Sequence, residues 1–160
     1  MAQIERKYMA HYLDASMTET PTYELLGADL EEYTVEMNAN VETKQNILGD
    51  SATYISGYEP QASVEPYIAD KDSQLFERLQ TIIDERQALD KLKSTAVEVH
   101  LWETEEGTNT FPAYREDVLI EPVSYGGDVT AYQIPFNLHY IGGRVKGTFN
   151  ISTKTFTQTT

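Results

Sequence analysis

The sequence predicts a mainly β protein with one flanking α-helix, arranged as an antiparallel β-sandwich or a partly closed barrel. Three observations carry this. Runs that alternate apolar and polar residues recur along most of the chain, a single stretch has helical rhythm, and paired glycines separate the last alternating runs. At 160 residues the chain fits one domain, 1–160, long enough to bury a core.

Lys7–Asp14 reads as a first strand, with Tyr8 and Tyr12 on one side and Met9, His11 and Leu13 on the other. Both sides are largely apolar, which places it between layers. A turn-prone connection, Thr18–Pro21, leads to a short extended piece, Tyr23–Leu26, ended by Gly27. From Glu32 the alternation is strict: Tyr33, Val35 and Met37 against Glu32, Thr34, Glu36 and Asn38, a strand with one acidic face. Glu59–Tyr67 repeats the pattern, with Pro60 and Pro66 removing ladder donors, so unpaired edges or a bulge are expected there. Between these two, residues 39–58 form a projecting hairpin arm whose strands, Thr43–Leu48 and Ala52–Ser56, meet at Gly49-Asp50. Ile47, Leu48, Tyr54 and Ile55, beside Asn46, then lie exposed at or near the tip, which calls for a partner; the alternative is that the arm folds back and these residues complete the core.

Residues 72–92 form the helix. Leu75, Phe76, Leu79, Ile82 and Ile83 share one face, and Gln74, Glu77, Arg78, Gln80, Asp84 and Glu85 fall elsewhere. Asp72 or Ser73 caps its start, and Arg86, Lys91 and Lys93 bring positive charge towards its end. Ala96–Glu103 is the next strand. After the polar loop Glu105–Pro112, the runs Asp117–Tyr125, Asp128–Ile141 and Arg144–Ile151 make an antiparallel meander turned at Gly126-Gly127 and Gly142-Gly143, with Lys154–Gln158 as a short edge strand.

The formal net charge of -14 repels nucleic acid and anionic membranes and argues against a phosphate-backbone binder. With no cysteine, disulfides and thiolate metal sites are excluded. No run of about 18 apolar residues and no leader pattern is present, so the expectation is a soluble protein made in the cytoplasm and not inserted in a membrane. His11, His100 and His139 lie in separate strands without metal-ligand spacing, and the acidic pairs lack a calcium-loop pattern. No nucleophile motif or phosphate-binding glycine loop occurs, so neither catalysis nor a cofactor is expected. Eleven tyrosines leave a ligand-binding β-barrel module as another reading, one that requires a concave aromatic pocket.

The order of parts then carries a resemblance. YELLGADLEEYTVEMNANVETKQNILGDS at Tyr23–Ser51, GYEPQASVEPYIADKDSQLFERL at Gly57–Leu79, VEVHLWE at Val97–Glu103 and the closing sheet resemble the major tail proteins, the tail tube subunits, of long-tailed phages that infect Gram-positive bacteria. The resemblance implies a β-sandwich with a flanking helix that assembles as hexameric rings stacked into a tube, through which DNA is ejected without specific binding. It implies an arm reaching between subunits and rings, and partners in the tail tip, tape measure and terminator proteins of a virion. The lumen would be lined by inner strands, whose polar faces make Glu36, Glu59 and Glu65 the candidates for that lining. Subunits of contractile tails, phage-tail-like bacteriocins and secretion-type tubes share the architecture, and nothing in the residues separates them.

Overall fold

The computed structural model describes residues 2–159. Along the chain come β1 (Met9–Asp14), β2 (Tyr23–Leu26), β3 (Ala39–Gln45), β4 (Ser51–Tyr58), β5 (Gln61–Val64), α1 (Gln74–Glu85), β6 (Lys93–His100), β7 (Thr110–Pro122), β8 (Gly126–Gly127), β9 (Tyr132–Gln133), β10 (Phe136–Asn150) and β11 (Thr155–Gln158). One antiparallel sheet dominates, in the order β11-β10-β7-β6-β1-β2, with β5 also pairing on β10. The arm β3-β4 and the small ribbon β8-β9 form separate two-stranded sheets.

The large sheet curls into a half-barrel. Tyr12 on β1 and Phe149 on β10 stack with ring centroids 4.5 Å apart although β6 and β7 lie between their strands. In a flat sheet, strand spacing of about 4.8 Å would hold them about 14 Å apart. Inside this curl Tyr12, Tyr23, Val97, Val99, Ala113 and Phe149 are buried together. On the opposite face Leu13, Ala96, Val118, Ile120, Phe136 and Leu138 pack against Leu75, Leu79, Ile82 and Ile83 of α1. β1 and β6 send alternate residues into the two cores, which is why both sides of β1 are apolar in sequence.

α1 is shorter than the pattern over 72–92. Arg86 takes the left-handed conformation, φ 49°, and ends it; a 3-10 turn, Leu89–Leu92, follows, so no basic residue lies in the last helical turn. At its start Ser73 accepts from the Phe76 amide. Glu24 on β2 accepts from the amides of Gln74, 2.9 Å, and Leu75, 3.3 Å, and from the Ser73 hydroxyl, 2.8 Å, bringing a carboxylate to the free amides of the first turn. Arg78, expected on the polar side, is buried instead. Its guanidinium donates to the carbonyls of Asp14, Ser16 and Lys93 and to Ser94 Oγ, at 2.6 to 3.0 Å, tying the helix to the end of the β1–β6 ladder where β1 finishes and β6 starts.

Three sequence expectations change. Glu32–Asn38 is not a strand: it makes one bridge, Glu36 to Gln61, before Asn38 turns into the positive-φ region at 46°. Gly142-Gly143 is not a hairpin turn but a kink inside β10, with φ of 107° and 69° and two register shifts against β7. Gly126-Gly127 forms strand β8 itself, and the ribbon turns beyond it; a Cβ at Gly127 would lie 2.3 Å from the Ala131 carbonyl oxygen.

The buried guanidinium gives a stability test. Arg78→Leu removes the donor for four acceptors at once and is expected to lower the unfolding free energy by about 3 kcal/mol in urea titrations. Arg78→Lys recovers little of this, because an ammonium lacks the planar fork that reaches separate carbonyls.

Candidate functional site

β3 and β4 pair from Ala39↔Tyr58 to Gln45↔Ser51, and every residue of β3 is exposed. The register sorts the arm's two faces. Val41 lies opposite Ile55, Thr43 opposite Thr53 and Gln45 opposite Ser51, so one face holds no charge and is largely β-branched; Glu42, Lys44 and Tyr54 occupy the other. A two-stranded ribbon with exposed edges on both sides is marginal by itself in water.

Asn46 fixes its tip. The side-chain oxygen accepts from the amides of Leu48, 2.9 Å, and Asp50, 3.0 Å, while the Asn46 amide donates to the Asp50 carbonyl, 2.9 Å. This local bonding pattern holds the turn in one shape and pushes Ile47 and Leu48 outward. Ile47 is 102% exposed, Leu48 80%, Ile55 52% and Tyr54 39%. The fold therefore keeps these residues out of the core, and the alternative in which the arm folds back is not what the chain adopts.

The three candidate glutamates are not brought together. Glu36 and Glu65 line a groove of about 300 Å³ with Glu32, Gln61 and Ser63 beside the β5 edge. Next to it Glu121 accepts from Asn137, 3.0 Å, and pairs with His139, 3.0 Å, bonds that hold its carboxyl below the usual range. Glu59 instead lines a cleft of about 1400 Å³ between the arm's base and the half of the sheet that α1 leaves open.

This cleft was invisible in the sequence, because its walls come from residues far apart along the chain. Arg144, just past the kink in β10, bridges Glu98, 3.1 Å, and Glu116, 3.2 Å, and lies over the Tyr114 ring. His100 sits between Glu98, 2.7 Å, and Glu103, 3.1 Å, stacked on Trp102. Burial alone would raise the Glu98 carboxyl, but the bonds to His100 and Arg144 outweigh it and hold the group below its ordinary value. Tyr33 and Tyr140 share a hydroxyl–hydroxyl bond of 2.8 Å, and burial pushes Tyr140 up to about 12. Arg144 thus answers Glu98 and Glu116 together, and the buried hydroxyls of Tyr33 and Tyr140 are mutually bonded. No nucleophile stands beside a base there, and no group of three metal-ligating side chains forms among the described residues.

His11 reports on the cleft floor. Its ring packs against Tyr33 at 4.4 Å, tilted by 49°, and burial, aided by the Arg6 charge, pulls its pKa from 6.5 down to about 4. Because the folded value is the lower one, the unfolded chain binds the extra proton. Stability is complete above pH 6.5 and is lost as pH falls from 6.5 towards 4. Urea midpoints are expected to drop by about 2 to 3 kcal/mol in unfolding free energy between pH 7 and pH 4.5. His11→Phe, which keeps the ring contact, removes that slope.

No family model matches the chain, and no curated protein matches it. Among solved structures it is similar to the cap that terminates the tube of the anti-feeding prophage, determined by cryo-EM, with a TM-score of 0.53 at 10% identity over 94% of this chain and 93% of that one. The similarity extends over nearly the whole of both chains, and at this identity it is a likeness of fold: a mainly β, curled antiparallel architecture of the tail-tube kind.

Proposed function

We propose that the chain is a non-enzymatic structural subunit of a phage tail tube, assembling with copies of itself into stacked, hexameric rings within the virion. The observation that carries this is the arm: an uncharged face and a rigid apolar tip held clear of the body, surface that a soluble monomer has no use for and a second copy can cover. The tail-tube kind of fold and the sequence resemblance to major tail proteins support the same reading. Tail tip, tape measure and terminator proteins are the further partners this role brings.

The acidic groove supplies the conduit's physics. Glu32, Glu36 and Glu65, with Glu121 on the neighbouring sheet face, set carboxylates where DNA would pass. A wall that attracted phosphate would hold the duplex by counterion release, whereas carboxylates repel the backbone and keep water between wall and DNA. Glu59, the third candidate for the lining, lies apart from these, in the cleft.

A second reading has its own support: one solved structure of similar fold is a cap that terminates a tube, so this reading has the chain close a tube instead of extending it. Electron microscopy of the purified protein separates the two, since a tube subunit gives rings that stack into tubes and a cap gives rings that do not. A protein that stays monomeric, alone and with a nucleating tail tip, is incompatible with either.

Two sets of substitutions test the parts. Replacing Ile47, Leu48, Tyr54 and Ile55 with serine is expected to abolish polymerisation while leaving the circular dichroism spectrum and the urea midpoint within about 0.5 kcal/mol of the parent, as for other exposed sites. Glu36→Lys with Glu65→Lys is expected to slow genome release from assembled tails, read as the rate of DNA ejection.

A further inference from the structure

A second exposed apolar patch lies where α1 ends. Ile82, Ile83, Pro122, Val123 and Tyr125 border a groove of 540 Å³ whose rim carries Arg86. Val123 is 59% exposed, and Leu89, just beyond the helix, is 84% exposed. Arg86 is held over this groove by its helix-ending backbone and by Tyr125, whose ring lies 5.7 Å from the guanidinium and whose hydroxyl accepts from it at 3.2 Å. Among the described residues Arg86 has no carboxylate partner, although the chain carries an excess of acid.

We infer that this groove receives the arm tip of a second copy of the chain, Ile47 and Leu48 entering between the helix end and Val123 while Asp50 pairs with Arg86. The inference rests on the self-assembly proposed above and names the surface that accepts the arm. Three features match. A groove of this size takes two branched aliphatic side chains, and the Asn46-bonded turn presents two as a preformed knob, so little ordering opposes docking. Asp50 follows that knob after a single glycine, Gly49, and among the described residues it too lacks an ion-pair partner. Ile47 is wholly exposed, so the tip does not fill the groove of its own chain.

The larger cleft is the weaker host for the same tip. Its Arg144 is already shared between Glu98 and Glu116, and its Arg6 donates to the carbonyls of Met9 and Tyr33. Asp50 entering there would meet Glu59, Glu98 and Glu116, and Arg6, the cation of the cleft without a carboxylate among the described residues, already has both terminal nitrogens on carbonyls. A tip on one surface and its receptor on another make a heterologous contact, which closes into rings or propagates from copy to copy.

Because the chain has no cysteine, engineered thiols report the contact without background. Leu48→Cys protein is mixed and oxidised with size-tagged Val123→Cys protein, and in parallel with tagged Ile141→Cys protein, whose thiol lies in the cleft. The expected result is at least tenfold more mixed disulfide with Val123→Cys. Equal yields, or more with Ile141→Cys, from protein that forms rings or tubes overturn the groove assignment and leave self-assembly standing. No disulfide from protein that never assembles overturns both. A charge exchange gives a second reading. Asp50→Arg or Arg86→Asp alone is expected to cut assembly at least tenfold, and the two combined in one chain to restore it, aspartate being among the residues that accept the positive φ of position 86. A double variant that folds by circular dichroism yet assembles no better than the single ones overturns the inference.

Discussion

The ladder between β7 and β10 holds from Phe136↔Pro122 to Asn150↔Thr110 although β10 bends sharply in the middle. Between Tyr140 and Gly142 β10 advances two residues while β7 advances one, and between Gly142 and Val145 it advances three while β7 advances two. Each shift alone would turn every later side chain to the wrong face. Two in succession restore the alternation, so Phe136 and Leu138 point into the helix-side core and Phe149 into the curl on the other face. The bend needs backbone at positive φ, which Gly142 and Gly143 supply at no steric cost. β5 lies against β10 before the kink and β11 after it, so the single strand organises both halves of the sheet.

That bend also creates the open surface. Past the kink α1 no longer covers its face of the sheet, and Arg144 emerges there to bind Glu98 and Glu116. Burying two carboxylates near a sheet floor is costly unless a fixed, bidentate cation answers them, and Arg144 does so from the residue next to Gly143. The cleft's ion pairs therefore hold the kink in place. The surfaces that the proposed assembly would use are the arm and the groove at the helix end.

Much of the fold was legible because burial on a sheet or helix leaves a period in the sequence. The alternation of Phe136 and Leu138, the two apolar sides of β1 and the helical spacing of Leu75, Leu79 and Ile82 all report directly on what they pack against. What the pattern could not report is what lies opposite. Glu32–Asn38 alternates as a strand does, yet only Glu36 finds a ladder partner. Arg78 reads as surface because an isolated helix offers no carbonyls for it, and those it bonds, at Asp14, Ser16 and Lys93, are 64, 62 and 15 residues away. A glycine pair reads equally as a turn or a kink, and the choice depends on whether the strand beyond it returns to the same neighbour. Of the site, Ile47 and Leu48 were legible as apolar residues flanking a glycine turn. The groove at Val123 was not, since the helix end and the β7–β8 connection share no sequence signal.

The net charge of -14 opposes association of this chain with itself. Screening confines that repulsion to about 8 Å at physiological salt, so copies meet only where contact is close and locally free of like charge. The arm satisfies this: the pairs Val41–Ile55, Thr43–Thr53 and Gln45–Ser51 place no carboxylate on one face, and Ile47 and Leu48 lead at the tip. In the proposed assembly, surface charge would set where copies cannot touch, and the uncharged face of one hairpin where they can.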